Sequence, residues 1–130
     1  MTILLIKTDQ PTTELYLYED NQKVNEKIWL ADRKLGETIH LEIANLLINS
    51  SRKKEDLEAV AIYNGPGSFT GLRIGHSVAN ALAYGLNLPL VATSGDDWVS
   101  RAITRLLNGE NDKITIPYYG SPARVTKPRK

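Results

Sequence analysis

The hydrophobic period of this chain changes near residue 31, and that change restricts the fold more than any other feature of the sequence. Before it, three segments read as strands. Residues 2–7 (TILLIK) form a short continuous apolar run, the mark of a fully buried strand. Residues 13–19 (TELYLYE) alternate, with Leu15 and Leu17 on one face and Tyr16 and Tyr18 on the other. Asp9-Gln10-Pro11 turns the chain between them, and Asp20-Asn21 closes a hairpin into a third strand over 22–30, with Val24, Ile28 and Leu30 in phase. After residue 31 the period is helical. Ile39, Ile43, Leu46 and Leu47 recur at i, i+4, i+7 and i+8 within residues 35–48. Leu35, Leu41, Ala44 and Ile48 widen that stripe. A helix apolar around so much of its girth must bury two faces, one on the sheet and one against a partner.

The remainder alternates strand and helix. Residues 58–63 (EAVAIY) predict a strand, 69–86 a helix, 89–92 (PLVA) a short strand, and the stretch from Ser94 to about Leu107 a third helix. Ser94 with Asp97 gives that helix a capping signal, and Asn108-Gly109 stops it. A last strand is expected over 113–118. The order β-β-β-α-β-α-β-α is an α/β chain: a three-strand meander followed by β-α-β-α units, giving a mixed five-stranded sheet with helices on its faces. That is the architecture of a single actin-like ATPase or ribonuclease-H-like lobe. Residues 1–112 are expected to form the lobe, and residues 113–130 a terminal strand and basic tail.

Composition excludes several chemistries. With no cysteine there is no disulfide framework, thiolate nucleophile or cysteine-ligated metal. The two histidines, His40 and His76, are too far apart in sequence and pattern to suggest a metal site, and none is expected. The apolar run Ile3 to Ile6 is too short for a signal peptide or a membrane span, so a cytoplasmic protein without membrane attachment is expected. The net charge of +1 hides a division. Residues 1–112 carry 11 Lys and Arg against 15 Asp and Glu, whereas residues 113–130 carry Lys113, Arg124, Lys127, Arg129 and Lys130 with no acid.

The richest segment is Asn64-Gly65-Pro66-Gly67-Ser68-Phe69-Thr70-Gly71, running on to Gly75. A glycine loop between a strand and a helix can bring backbone N–H groups to a phosphate, or it can serve close packing alone. It is not a Walker A loop, because no Lys-Ser/Thr pair follows its last glycine. Ser68 or Thr70 is expected to cap the helix rather than act as a nucleophile, since no histidine is placed to activate either. Along that helix Gly71, Gly75, Ala79 and Ala83 repeat at i+4. This ridge of small residues suits a close helix neighbour or simply the sheet beneath it.

Residues 64–75, NGPGSFTGLRIG, resemble the signature of the TsaB (YeaZ) family, the actin-like accessory subunit with which bacteria make threonylcarbamoyladenosine in tRNA. ALAYGLNLPLVATS at 81–94 and the ending IPYYGSPARVTKPRK at 116–130 resemble the same family. The resemblance implies a non-catalytic scaffold that pairs, through its first two helices, with the larger catalytic subunit TsaD. A small ATPase, TsaE, joins the complex, and ANN-decoding tRNA and threonylcarbamoyl adenylate are the substrates of the assembly. The partner face would then comprise Ile39, Ile43, Leu46 and Leu47 with Gly71, Gly75, Ala79 and Ala83, and the same face would serve a homodimer when the chain is alone. No cofactor is expected on this chain alone, although a nucleotide at a shared interface is compatible. Arg124, Lys127, Arg129 and Lys130 are candidate contacts to tRNA or to an acidic patch on the partner.

The departures matter. Family members have two lobes, and most of the second is expected to be missing here. Where their first strand ends in Asp-Thr-Ser, this chain has Lys7-Thr8-Asp9, a cation where a Mg²⁺ ligand would stand. Where they have His-Ser-Glu at the first helix, it has Leu35-Gly36-Glu37. The rival reading is a small nucleotide-binding protein or degenerate actin-like kinase that uses the Gly65–Gly71 loop.

Overall fold

A computed structural model describes residues 1–120. Five strands form one sheet: β1 (Thr2–Lys7), β2 (Thr12–Glu19), β3 (Gln22–Leu30), β4 (Ala59–Tyr63) and β5 (Leu90–Thr93), in the order β3-β2-β1-β4-β5. The first three pair antiparallel, while β1, β4 and β5 run parallel. The meander followed by β-α-β units is therefore present. β1 lies in the middle with Ile3 to Ile6 all fully buried, which is why its sequence is continuously apolar.

Three helices cover the sheet: α1 (Leu35–Asn49), α2 (Phe69–Leu86) and α3 (Trp98–Leu107). Side-chain alternation divides the core between the two faces. Leu4, Ile6, Leu15, Leu17, Val60 and Ile62 meet α1 and α2 on one side. Ile3, Leu5, Ala59, Ala61 and Val91 meet α3 on the other, where Trp98 packs edge-on against Tyr63 with ring centroids 5.7 Å apart.

Several expectations are corrected. Val24, Ile28 and Leu30 of β3 are exposed, because α1 covers the opposite face of this edge strand, where Lys27 pairs with Glu42 and Trp29 with Thr38. Its lysines, Lys23 and Lys27, suit an unpaired edge. α3 begins after Asp97 without a side-chain cap, so the Ser94/Asp97 capping box does not form; the Thr93 hydroxyl instead donates to the Trp98 carbonyl at 2.8 Å. Residues 113–118 are not a strand. They run as an extended strap across α2, tied by the side chains of His76 and Asn80 and by a single backbone bond to Asn64 rather than by a ladder. Arg124, Lys127, Arg129 and Lys130 lie outside the described residues. Among the described residues, no helix is long and apolar enough to cross a membrane.

Candidate functional site

The glycine loop sits at the carboxyl ends of β1 and β4, where open α/β sheets commonly hold ligands. Its glycines serve contact with the chain itself. A Cβ on Gly67 would strike Asp9, one on Gly71 the Thr8 carbonyl, and one on Gly75 the Thr8 side chain. Thr8 is fully buried, and its hydroxyl donates to the Gly71 carbonyl at 2.7 Å. The Ser68 N–H donates to the Asp9 carbonyl at 2.8 Å, and the Ser68 hydroxyl accepts from the Gly71 N–H at 3.3 Å as the cap of α2. Two N–H groups that a phosphate would need are thus engaged within the chain. The packing reading of the loop is the one this geometry supports. Beyond the cap, Phe69 and Thr70 are exposed.

Lys7 and Asp9 close the end of β1 upon each other. The Lys7 ammonium lies 2.7 Å from Asp9 Oδ1, 4.0 Å from Glu14 and 4.6 Å from the centre of the Tyr63 ring. Asp9 is buried, so its carboxylate is held by Lys7 rather than offered to a metal.

Helices α1 and α2 lie side by side, and their expected partner residues face inward. Ile39, Ile43, Leu46 and Leu47 pack on the sheet with Ala79 and Ala83, Gly75 is buried on Thr8, and Gly71 is half-buried beside it. They are core residues and do not form an exterior surface. The outer stripe of α1 is instead Leu41, Ala44 and Ile48, at i, i+3 and i+7, with Leu41 61% and Ile48 69% exposed. On α2 the exposed small residues are Ser77, Ala81 and Gly85, also at i+4 spacing. Open clefts lie between the two helices, one bordered by His40, Thr70, Arg73 and Ser77, the other by His40, Ala44, Ile48 and Leu82.

On the other flank of α2 the strap is held by three ties. Asn80 exchanges two hydrogen bonds with the Thr115 backbone, its amide donating to the carbonyl at 3.0 Å and its oxygen accepting from the N–H at 2.9 Å. His76 Nδ1 lies 2.8 Å from the Thr115 hydroxyl, and the Tyr118 N–H donates to the Asn64 carbonyl at 2.9 Å. Burial holds the His76 imidazole below its ordinary pKa, an effect that the nearby Asn64 backbone only partly offsets. Nearer the sheet, Asn111 and Asp112 accept from the Leu90 and Ala92 N–H groups and so cover the outer edge of β5.

Comparison with known proteins places this geometry. The family model of TsaD, tRNA N6-adenosine threonylcarbamoyltransferase, matches residues 29–104, more than half of the chain. The tRNA threonylcarbamoyladenosine biosynthesis protein TsaB of Escherichia coli K12 is 36% identical over 130 residues, covering 95% of this chain and 56% of that protein. The chain belongs to the TsaB (YeaZ) family. TsaB of Haemophilus influenzae is 33% identical over 85% of this chain and 47% of its own length. YeaZ from Pseudomonas aeruginosa superposes with a TM-score of 0.67 at 26% identity, covering 72% of this chain and 43% of that one. RuvC of T. thermophilus, solved with a Holliday junction substrate, shares the fold alone, at a TM-score of 0.53 and 12% identity. The chain spans about half the length of the TsaB relatives it matches.

Within this TsaB-family lobe, the signature at 64–75 is legible as a packing device once Thr8 and Asp9 are seen beneath it. The strap ties could not be anticipated, because neither Asn80 nor Thr115 stands in a motif. The outer ridge Ser77, Ala81 and Gly85 repeats the i+4 spacing of the inner ridge two positions along.

Proposed function

We propose that the chain serves tRNA threonylcarbamoyladenosine biosynthesis as a non-catalytic scaffold, docking on a TsaD-type catalytic subunit through the outer faces of α1 and α2. The observation that carries the reading is the apolar stripe Leu41, Ala44 and Ile48, left uncovered beside the smooth ridge Ser77, Ala81 and Gly85. A large apolar stripe next to small residues suits a helix pair from another subunit, since small residues let backbones approach. A TsaE-type ATPase and tRNA would join through that assembly in the cytoplasm, and a homodimer on the same face would form when the catalytic subunit is absent.

Two features favour a scaffold over a catalyst. The Lys7–Asp9 pair neutralises the end of β1, where a metal-binding carboxylate would otherwise stand free. The loop N–H groups of Ser68 and Gly71 are used internally. The nucleotide-binding alternative predicts that ATP with Mg²⁺ binds the isolated chain, whereas the scaffold reading predicts no such binding. The test of docking is co-expression with the TsaD-type subunit of the same genome. Recovery of an equimolar complex supports the proposal, and elution of the two chains apart contradicts it.

A further inference from the structure

The face that α1 and α2 leave open carries a charge as well as an apolar stripe. Among the described residues, Lys7, Lys23, Lys27, Arg52, Arg101 and Arg105 each lie within 4.0 Å of a carboxylate. Arg73, Lys53 and Lys54 are exposed and stand in no such pair among those residues. Arg73 borders the cleft between the N-terminal halves of the two helices, and Lys53 and Lys54 border the one between their C-terminal halves. No carboxylate lines either cleft. Helix α2 contains no acidic residue, and of the two in α1, Glu42 is turned toward β3, 3.7 Å from Lys27. Glu37, one turn before Leu41, is the carboxylate left on the outer stripe. Glu55 and Asp56 follow Lys54 in sequence, but neither borders the cleft, and Asp56 accepts from the Lys53 N–H at 2.8 Å. The face is positive although residues 1–112 as a whole carry more acidic than basic groups.

We infer that the partner segment received by this face is a helix with an apolar centre and carboxylates toward both ends, which meet Arg73 at one end and Lys53 and Lys54 at the other. The inference rests on the docking reading and adds the chemistry of the partner. The two clefts follow one another along α1 from Gly36 to Ile48, a length of about 18 Å at helical rise, so one partner helix of about twelve residues or more reaches both sets of cations. Exposed ion pairs add little to affinity, but a complementary field speeds encounter and rejects partners of the wrong charge. A nucleic acid would satisfy the cations and leave Leu41 and Ile48 uncovered. A second copy of the chain would bring the same three cations and only Glu37 to meet them.

The test is stopped-flow association of the complete chain with the TsaD-type subunit from about 0.05 to about 0.5 M salt, over which the screening length shortens from about 14 to about 4 Å. The association rate should fall as salt rises. Arg73→Glu, and Lys53→Glu combined with Lys54→Glu, should each slow association about tenfold at the lowest salt, leave dissociation within about threefold and flatten the salt dependence. Glu37→Gln should speed association about twofold, a gain that a structural role for this residue would not produce. Arg101→Glu makes the same change of charge as Arg73→Glu on α3, across the sheet, and should leave the rate within about twofold. Thermal melts establish that each variant is folded. A complex that forms with unchanged rates and salt dependence in every folded cation variant would overturn the inference and leave the docking reading in place. No complex at any salt would overturn both. Slowing by Arg101→Glu as large as that by Arg73→Glu would overturn the inference, because the effect would then belong to net charge and not to this face. So would self-association of the chain alone that loosens with salt as steeply as the complex does, since a second copy would then be the occupant matched in charge.

Discussion

The Thr8 side chain fills the space that a side chain at Gly75 would occupy, and its hydroxyl donates to the Gly71 carbonyl 2.7 Å away. The start of α2 is thereby seated on the end of β1. Gly75→Ala should destabilise the lobe by about 1–3 kcal/mol through overpacking, despite the better helix propensity of alanine. Removing the obstacle should recover part of the loss, so Thr8→Ala with Gly75→Ala should be less destabilised than the sum of the single variants. Gly71→Ala should show no such rescue, because its Cβ would meet the Thr8 backbone carbonyl. Urea denaturation of the three single variants and of Thr8→Ala combined with each glycine variant measures both effects.

The Lys7–Asp9 pair makes a second prediction. Lys7→Met leaves the buried Asp9 carboxylate without its cation and should cost about 1–3 kcal/mol, the penalty of a buried acceptor left unpaired. Lys7→Asp should cost more, because it places a third carboxylate beside Asp9 and Glu14. Neither variant should acquire Mg²⁺-dependent ATP turnover. Thermal melts rank the variants, and a phosphate-release assay reads the turnover; release above background by Lys7→Asp would show that a single side chain had suppressed catalysis.

The buried His76 makes stability depend on pH. Its folded pKa is depressed, so on acidification the unfolded chain takes up a proton first, at about pH 6.5. Below that pH the unfolded state binds more protons than the folded state, and stability falls as pH drops toward the folded pKa. Above about pH 6.5 the contribution is fully present. The slope from this group is at most about 1.4 kcal/mol per pH unit. Glu19, held low by the Thr2 hydroxyl and the N-terminal ammonium, loses its contribution at more acidic pH and does not obscure this window. His76→Asn should flatten the decline in melting temperature below pH 6.5.

The order of elements was readable because the hydrophobic period changes cleanly at residue 31 and because β1 is apolar at every central position. Faces were harder. Ile39, Ile43, Leu46 and Leu47, which the family resemblance assigns to a partner face, cover the sheet, since the side with the most large apolar residues packs on the core. The remainder, Leu41, Ala44 and Ile48, was visible only as a widening of that stripe. The inner ridge Gly71, Gly75, Ala79 and Ala83 suited either a partner or the sheet, and sequence spacing carries no information about which. What decided it was Thr8, a residue about 63 positions before Gly71 in the chain. The strap resembles a strand for a related reason: residues 113–118 have the extended pattern of a strand, but the Thr115 backbone bonds the Asn80 side chain instead of a neighbouring strand.

The docking claim is tested most directly by comparing Ala81→Leu with Ala79→Leu in isothermal titration against the TsaD-type subunit. Ala81 is exposed on the outer ridge, whereas Ala79 is fully buried on the sheet. The proposal predicts that Ala81→Leu abolishes measurable binding while its melting temperature stays within about 2 °C of the unaltered chain, as expected of a surface change. It predicts that Ala79→Leu lowers stability by about 1–3 kcal/mol and retains binding under conditions where it remains folded. Full-affinity binding by Ala81→Leu would contradict the account and would show that α1 and α2 present a different face to the partner.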